Sequence, residues 1–182
     1  MNRAASLDPA RMTGILLSLP AYRHYGHRRR AARQEGHFRR ALARMVQEIA
    51  ANLNAARRLH SPGLDPEREE LLETIAGHLA ALVKVMARRG AVRLKGDPRE
   101  VVPHLRLLDS ELIMYLEEAW RLSRRFLRPE LGAEDVRDLA GNFFALLAAL
   151  ADTAEQRNQL LGLGWESEFG IPPLPGLWRE GT

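Results

Sequence analysis

From residue 37 onward, apolar positions recur at spacings of three, four and seven, and nowhere alternate for long as a strand requires. Four helices are legible in that pattern. The first is predicted from about Phe38 to His60, with Leu42, Met45, Val46, Ile49, Leu53 and Leu59 on its stripe and Arg39, Arg40, Gln47 and Asn54 off it. It stops at Ser61-Pro62-Gly63. The second opens at Asp65-Pro66, a capping side chain followed by a proline whose missing donor costs nothing in the first turn. Its stripe of Leu71, Leu72, Ile75, Leu79, Leu82, Val83 and Met86 ends at Gly90.

Gly96-Asp97-Pro98-Arg99-Glu100 is a further start signal, with Asp97 as cap and Glu100 placed to reach back to it. Pro103 follows so soon that the pattern predicts a short turn over 98–102. A long helix then runs from about His104 to Arg128, with Leu105, Leu108, Leu112, Tyr115, Leu116, Ala119, Leu122 and Phe126 inward. The fourth helix opens near Gly132 and carries Val136, Leu139, Phe143, Leu147, Leu150 and Ala154 to about Leu161. Short links between long helices predict an all-α, antiparallel up-down four-helix bundle over residues 37–162. Residues 1–36 are set apart as an apolar segment with a basic arm, and 163–182 as an extended tail rich in Pro, Gly and Trp.

At 182 residues, with 46% hydrophobic and 27% charged residues, the chain fits one domain with a single core. It has no cysteine, which excludes disulfides, thiolate nucleophiles, iron–sulfur clusters and cysteine-based zinc sites. The net charge of +4 conceals a division. Residues 1–60 hold 12 Arg against Asp8, Glu35 and Glu48, whereas residues 61–182 hold 15 basic and 20 acidic side chains. That split points to an anionic partner for the first third of the chain. The excess of Arg over Lys, 25 to 2, suits phosphate but is also what a GC-rich genome produces.

The basic signal is densest from Tyr22 to Arg40, which contains Arg23, Arg28, Arg29, Arg30, Arg33, Arg39 and Arg40, three histidines and one acid, Glu35. Arg28, Arg29 and Arg30 step round three sides of any helix, so the arm is expected to project from the bundle, with Pro20 and Gly36 as hinges. Before it lies the apolar run from Met12 to Tyr22. At eleven residues it is too short to span a bilayer, and its order is the reverse of a secretory signal. Ile15, Leu16, Leu17 and Leu19, then Tyr22 and Tyr25 at headgroup depth, then arginines on the cytosolic side, read as a membrane-surface anchor, with packing on the bundle as the alternative for the apolar residues and tyrosines.

This order, with the E-x-x-x-N segment Glu48-Ile-Ala-Ala-Asn52, resembles uncharacterised bacterial proteins in which a membrane anchor and an arginine run precede a helical bundle. The resemblance covers residues 12–55, departs in the shortness of the anchor, and implies no activity. Arginines interleaved with Tyr and His would equally suit nucleic acid in a ribonucleoprotein or DNA-associated complex, through phosphate contacts and stacking.

Little else in the sequence carries chemistry. The histidines near the arm sit among arginines that repel a divalent cation, and none of the six has a Glu three positions before it, as di-iron bundles require. The Arg99…His104 and Arg30…His37 gaps match the Arg-to-His spacing of HEPN ribonucleases at the frequency chance supplies. Asp109, Glu111, Glu117 and Glu118, beside Arg121, Arg124 and Arg125, read as a solvated face with paired charges. Trp120 beside them, and Trp165 and Trp178 in the tail, are candidate protein-partner contacts. The expectation is therefore a noncatalytic interaction module without cofactor or metal, cytoplasmic or at the cytosolic face of a membrane. Its partners are expected to be an anionic membrane surface or a nucleic acid, together with a second protein or another copy of the chain.

Overall fold

A computed structural model describes residues 22–25, 27–60, 66–86, 92–128 and 130–163. These residues form four α-helices and no strand: α1, Arg28–His60; α2, Pro66–Met86; α3, Pro98–Arg125; and α4, Ala133–Leu160. A 3-10 turn, Tyr22–His24, precedes α1. The described residues are all-α, as the periodicity predicts. The candidate residues Ile15, Leu16, Leu17, Leu19, Trp165 and Trp178, the Asp65 cap, the end of the second helix at Gly90 and the tail lie outside the described residues.

Two helix boundaries differ from the sequence reading, each for a definable reason. The first helix starts at Arg28, ten residues before Phe38, and passes through Gly36 without a hinge. Its first turns do have a face to bury. Ala31, Glu35, Phe38 and Leu42 fall at spacings of four, three and four, and all four are buried. Glu35 is charged and so looked like part of a solvated arm. The break expected at Pro103 is also absent, because α3 runs unbroken from Pro98. Proline there removes only the amide that would have bonded the carbonyl of Arg99, and both residues are exposed, so water can serve that carbonyl. Asp97 caps the helix as predicted, its side chain accepting from the Arg99 amide at 2.9 Å.

The core is built from the predicted stripes. Leu42, Val46, Ile49 and Leu53 of α1 meet Leu72, Ile75, Leu79 and Leu82 of α2, Leu112, Leu116 and Ala119 of α3, and Val136, Phe143, Leu147 and Leu150 of α4. Burying each large aliphatic or aromatic side chain contributes roughly 1.5–3 kcal/mol before chain entropy is set against it. α1 packs on α2 and α3, and α4 packs on α3 and α2. Leu59, predicted on the α1 stripe, is exposed at the end of that helix.

A second, smaller apolar cluster closes one end of the bundle. It joins Tyr25, Ala31, Val92, Leu105 and Leu161, flanked by Tyr22, Leu94 and Leu163. The backbone there is held by Arg93 and Lys95 amides donating to the carbonyls of Leu161 and Leu160. Gly162 makes this closure sterically feasible. At φ +64° it ends α4 in a Schellman turn, with the Leu163 amide bonded to the Asn158 carbonyl and its own amide to that of Gln159.

Candidate functional site

Between the two apolar clusters lies a charged layer. Glu35, Asp109 and Arg157 each occupy a core position of a different helix. Glu35 stands four after Ala31 and three before Phe38, Asp109 four after Leu105 and three before Leu112, and Arg157 three after Ala154 and four before Leu161. Arg157 donates from Nη1 and Nη2 to the two oxygens of Glu35, at 2.5 and 2.8 Å, and from Nε to Asp109. Its guanidinium lies over the Phe38 ring, 4.7 Å from the centroid. Arg39 donates from Nε to Glu35 at 2.5 Å and from Nη2 to Asn158. Two buried carboxylates and two buried guanidinium groups thus sum to zero charge, and a bidentate fork supplies the geometry that a buried pair needs.

The electrostatics follow from that packing. Burial alone would raise the carboxyl of Glu35, but Arg157 and then Arg39 overcome it and hold the group at about 2. Burial dominates at Asp109 and raises it, against the pull of Arg157. Burial likewise lowers Arg39, with Glu35 opposing. Burial also works against the charge of Arg157, yet Asp109 and Glu35 more than offset it, so this guanidinium stays charged.

The two tyrosines expected at headgroup depth belong to this layer. Tyr25 is buried and donates from its hydroxyl to Glu35 at 3.0 Å, while half-buried Tyr22 donates to Asp109 at 2.7 Å. The rings stack, with centroids 5.7 Å apart, and Arg106 covers Tyr22 from outside. Burial, with Asp109 for Tyr22 and Glu35 for Tyr25, pushes both hydroxyls well above the ordinary tyrosine value. The segment after the apolar run is therefore fastened to the end of the bundle by side chains from α1, α3 and α4.

Of the seven candidate anion-contacting arginines, Arg39 is buried in this layer, so it is no surface contact. Arg23, Arg29, Arg30, Arg33 and Arg40 are exposed, and the Arg28 side chain lies outside the described residues. The exposed set has an order the sequence reading did not draw. At 100° per residue, Arg29, Arg33, Arg40 and Arg44 fall within about 60° of one another and opposite Phe38, Leu42 and Ile49. Their stripe is about 22 Å long. Among the described residues none of the four has a carboxylate at ion-pair distance, and the contact there is Arg40 with Nδ1 of His37 at 2.9 Å.

The remaining candidates separate. Trp120 is half-buried against the core under the guanidinium of Arg124, and Glu117 and Glu118 pair with Arg121 on the surface as the charge pattern predicts. Asp109 does not share that face. It was hidden because a carboxylate read in isolation suggests solvent. The signal that would have found it is a charged residue in core register on three helices, at one level, with signs that cancel. No helix among the described residues is long and apolar enough to cross a membrane. Compared with known proteins, the chain matches no family model, no curated protein and no solved structure.

Proposed function

We propose that this chain is a noncatalytic docking module that lays the arginine face of α1 against an anionic membrane surface at its cytosolic side, with a protein partner held on the bundle. The observation that carries the reading is the stripe of Arg29, Arg33, Arg40 and Arg44 on the side of α1 remote from the core, without an ion-pair partner among the described residues. Each arginine near an anionic bilayer contributes about 1 kcal/mol, so four in line supply a few kcal/mol. The charged layer adds position. It ties Tyr22 and Tyr25, which follow the apolar run in sequence, to Asp109 and Glu35.

The reading takes the bundle to alternate direction along the chain, and three sets of contacts support that. Asp109 meets Arg157 and Phe126 meets Phe143, which sets α3 against α4. Glu35 shares a level with Asp109 through Arg157, and Asn52 donates to Ser123 at 2.9 Å, which sets α1 beside α3 in the same direction. These contacts support an up-down order in which α1 and α3 are parallel neighbours.

Flotation of the full chain with phosphatidylserine-containing and with neutral vesicles tests the reading. Binding confined to the anionic vesicles, and abolished by Arg33→Glu with Arg40→Glu, is expected. Equal recovery with both vesicle types removes it.

One observation favours a second reading, contact with a nucleic-acid backbone. Between Arg29 and Arg58 the exposed face of α1 offers no large apolar side chain for insertion, and guanidinium groups alone suffice for phosphates. With Tyr22 and Tyr25 turned inward, that contact would lack base stacking and be insensitive to sequence. Its mark is a duplex affinity that falls by about 0.9 log unit per neutralised phosphate for each log unit of salt.

A further inference from the structure

α3 turns one face away from the bundle. Pro103, Leu107, Ser110, Met114 and Arg121 are all exposed on it, and Leu107 and Met114, seven residues apart, keep 58% and 55% of their surface in water. With Leu59 at the far end of α1, they are the large apolar side chains left exposed among the described residues. Two such residues, separated by two helical turns and framed by charges, are the pattern of a helix seam without its partner.

The charges on this face select the partner. Around the point midway between Ser110 and Glu111 they are complementary under a two-fold rotation. If a second α3 lies antiparallel across that point, Leu107 meets Met114 of the other copy, and Met114 meets its Leu107. In the same register Glu100 meets Arg121, a contact that occurs twice. Arg121 already pairs with Glu117 at 2.5 Å and Glu118 at 3.2 Å, leaving donors of its fork for a further carboxylate. The parallel arrangement fails on the same residues, since it would set Glu117 and Glu118 against their own copies and Arg121 against Arg121.

We infer that the outer face of α3 is an isologous interface at which two copies of this chain pair antiparallel through Leu107, Met114 and the Glu100–Arg121 contacts. This face supplies the protein partner of the docking reading, but it does not depend on lipid. The pairing forms in solution, so its failure and the failure of membrane docking are separately visible.

Sedimentation velocity of the full chain over a concentration series, without lipid, reads it out. A monomer–dimer equilibrium is expected, and Leu107→Glu or Met114→Glu should leave monomer alone. Both positions are exposed, so the helical circular dichroism should not change. Glu100→Arg and Arg121→Glu should each weaken the dimer roughly three- to tenfold, and the double reversal should recover most of that loss. Because the chain has no cysteine, Ser110→Cys places a single thiol beside the two-fold axis. Oxidation should then join two chains, whereas Asn142→Cys on the exposed face of α4 should not. Monomer throughout the series, a dimer indifferent to Met114→Glu, or charge reversals that fail to compensate would each overturn the assignment.

Discussion

Replacing Glu35 by Gln removes one charge from the buried layer while keeping the shape of the side chain. In the folded chain this carboxylate serves Arg157 through both oxygens, Arg39 through one, and the Tyr25 hydroxyl. The variant leaves two buried guanidinium groups facing Asp109 alone. The carboxyl sits at about 2 instead of its ordinary 4.5, a difference worth roughly 3 kcal/mol in favour of the ionised, paired form. Removing one partner of a buried pair typically costs 3–5 kcal/mol. We therefore expect Glu35→Gln to lose about 3–5 kcal/mol, a large share of the 5–15 kcal/mol that holds most domains together.

Urea denaturation of the parent and variant at neutral pH measures this loss directly, and adding Arg157→Met with the double variant completes a cycle. The double variant should lose less than the two single losses summed, because each single change strands a charge that the double change removes. The pH dependence carries a sign as well. The folded value of Glu35 lies below the unfolded one, so the unfolded chain takes up the proton first as pH falls. The stabilisation is complete above about 4.5 and disappears as pH drops toward about 2. In the parent that acid loss should be present, and in Glu35→Gln this component should be missing. A variant within about 0.5 kcal/mol of the parent would refute the reasoning, since surface substitutions have effects of that size.

Other consequences follow from single contacts. Gly162→Ala places a Cβ 2.4 Å from the Arg93 carbonyl oxygen at a positive φ, so thermal denaturation should show a loss of about 2 kcal/mol or more. Tyr22→Phe removes the hydroxyl that Asp109 accepts, which should lower stability by about 1–2 kcal/mol and speed tryptic cleavage after Arg23. Pro103→Ala should change stability by less than about 1 kcal/mol, because the amide it restores bonds an exposed Arg99 carbonyl that water serves in the parent, and urea denaturation would show it. At Asn52, which donates to the buried Ser123 hydroxyl, substitution by Ala should cost about 1 kcal/mol by the same measurement.

Where hydrophobic period and capping chemistry agree, the sequence defines the helices. The Asp97 cap and Pro98 mark a helix start where the pattern predicts one, the Gly132 amide donates to the Asp135 side chain at the start of α4, and Leu72, Ile75, Leu79 and Leu82 line α2. What escapes is the set of residues that break the binary rule on behalf of each other. Glu35 looks solvated until Arg157, 122 positions away, is brought beside it. Arg39 counts as surface charge until Asn158 and Glu35 enclose it. Tyr22 and Tyr25 read as interfacial because their partners, Asp109 and Glu35, appear as ordinary surface carboxylates in the sequence. The arginine stripe was half visible. Its composition was evident, but its alignment on one face required that α1 begin at Arg28 instead of Phe38.

These corrections change what the basic segment can do. Fixed as the outer side of a helix whose inner side is core, its arginines offer a rigid array, and the tyrosines expected to accompany them act as fasteners inside the bundle. Docking through that array is the central claim, and single-cysteine fluorescence on vesicles tests it most directly, since the chain has no cysteine of its own. With an environment-sensitive label at Gln47, on the arginine side of α1, and separately at Asn142 on α4, phosphatidylserine vesicles should shift the emission of the first label and leave the second unchanged. Arg33→Glu with Arg40→Glu should abolish that shift. Equal responses at both positions, or a response that survives the double charge reversal, would contradict the account.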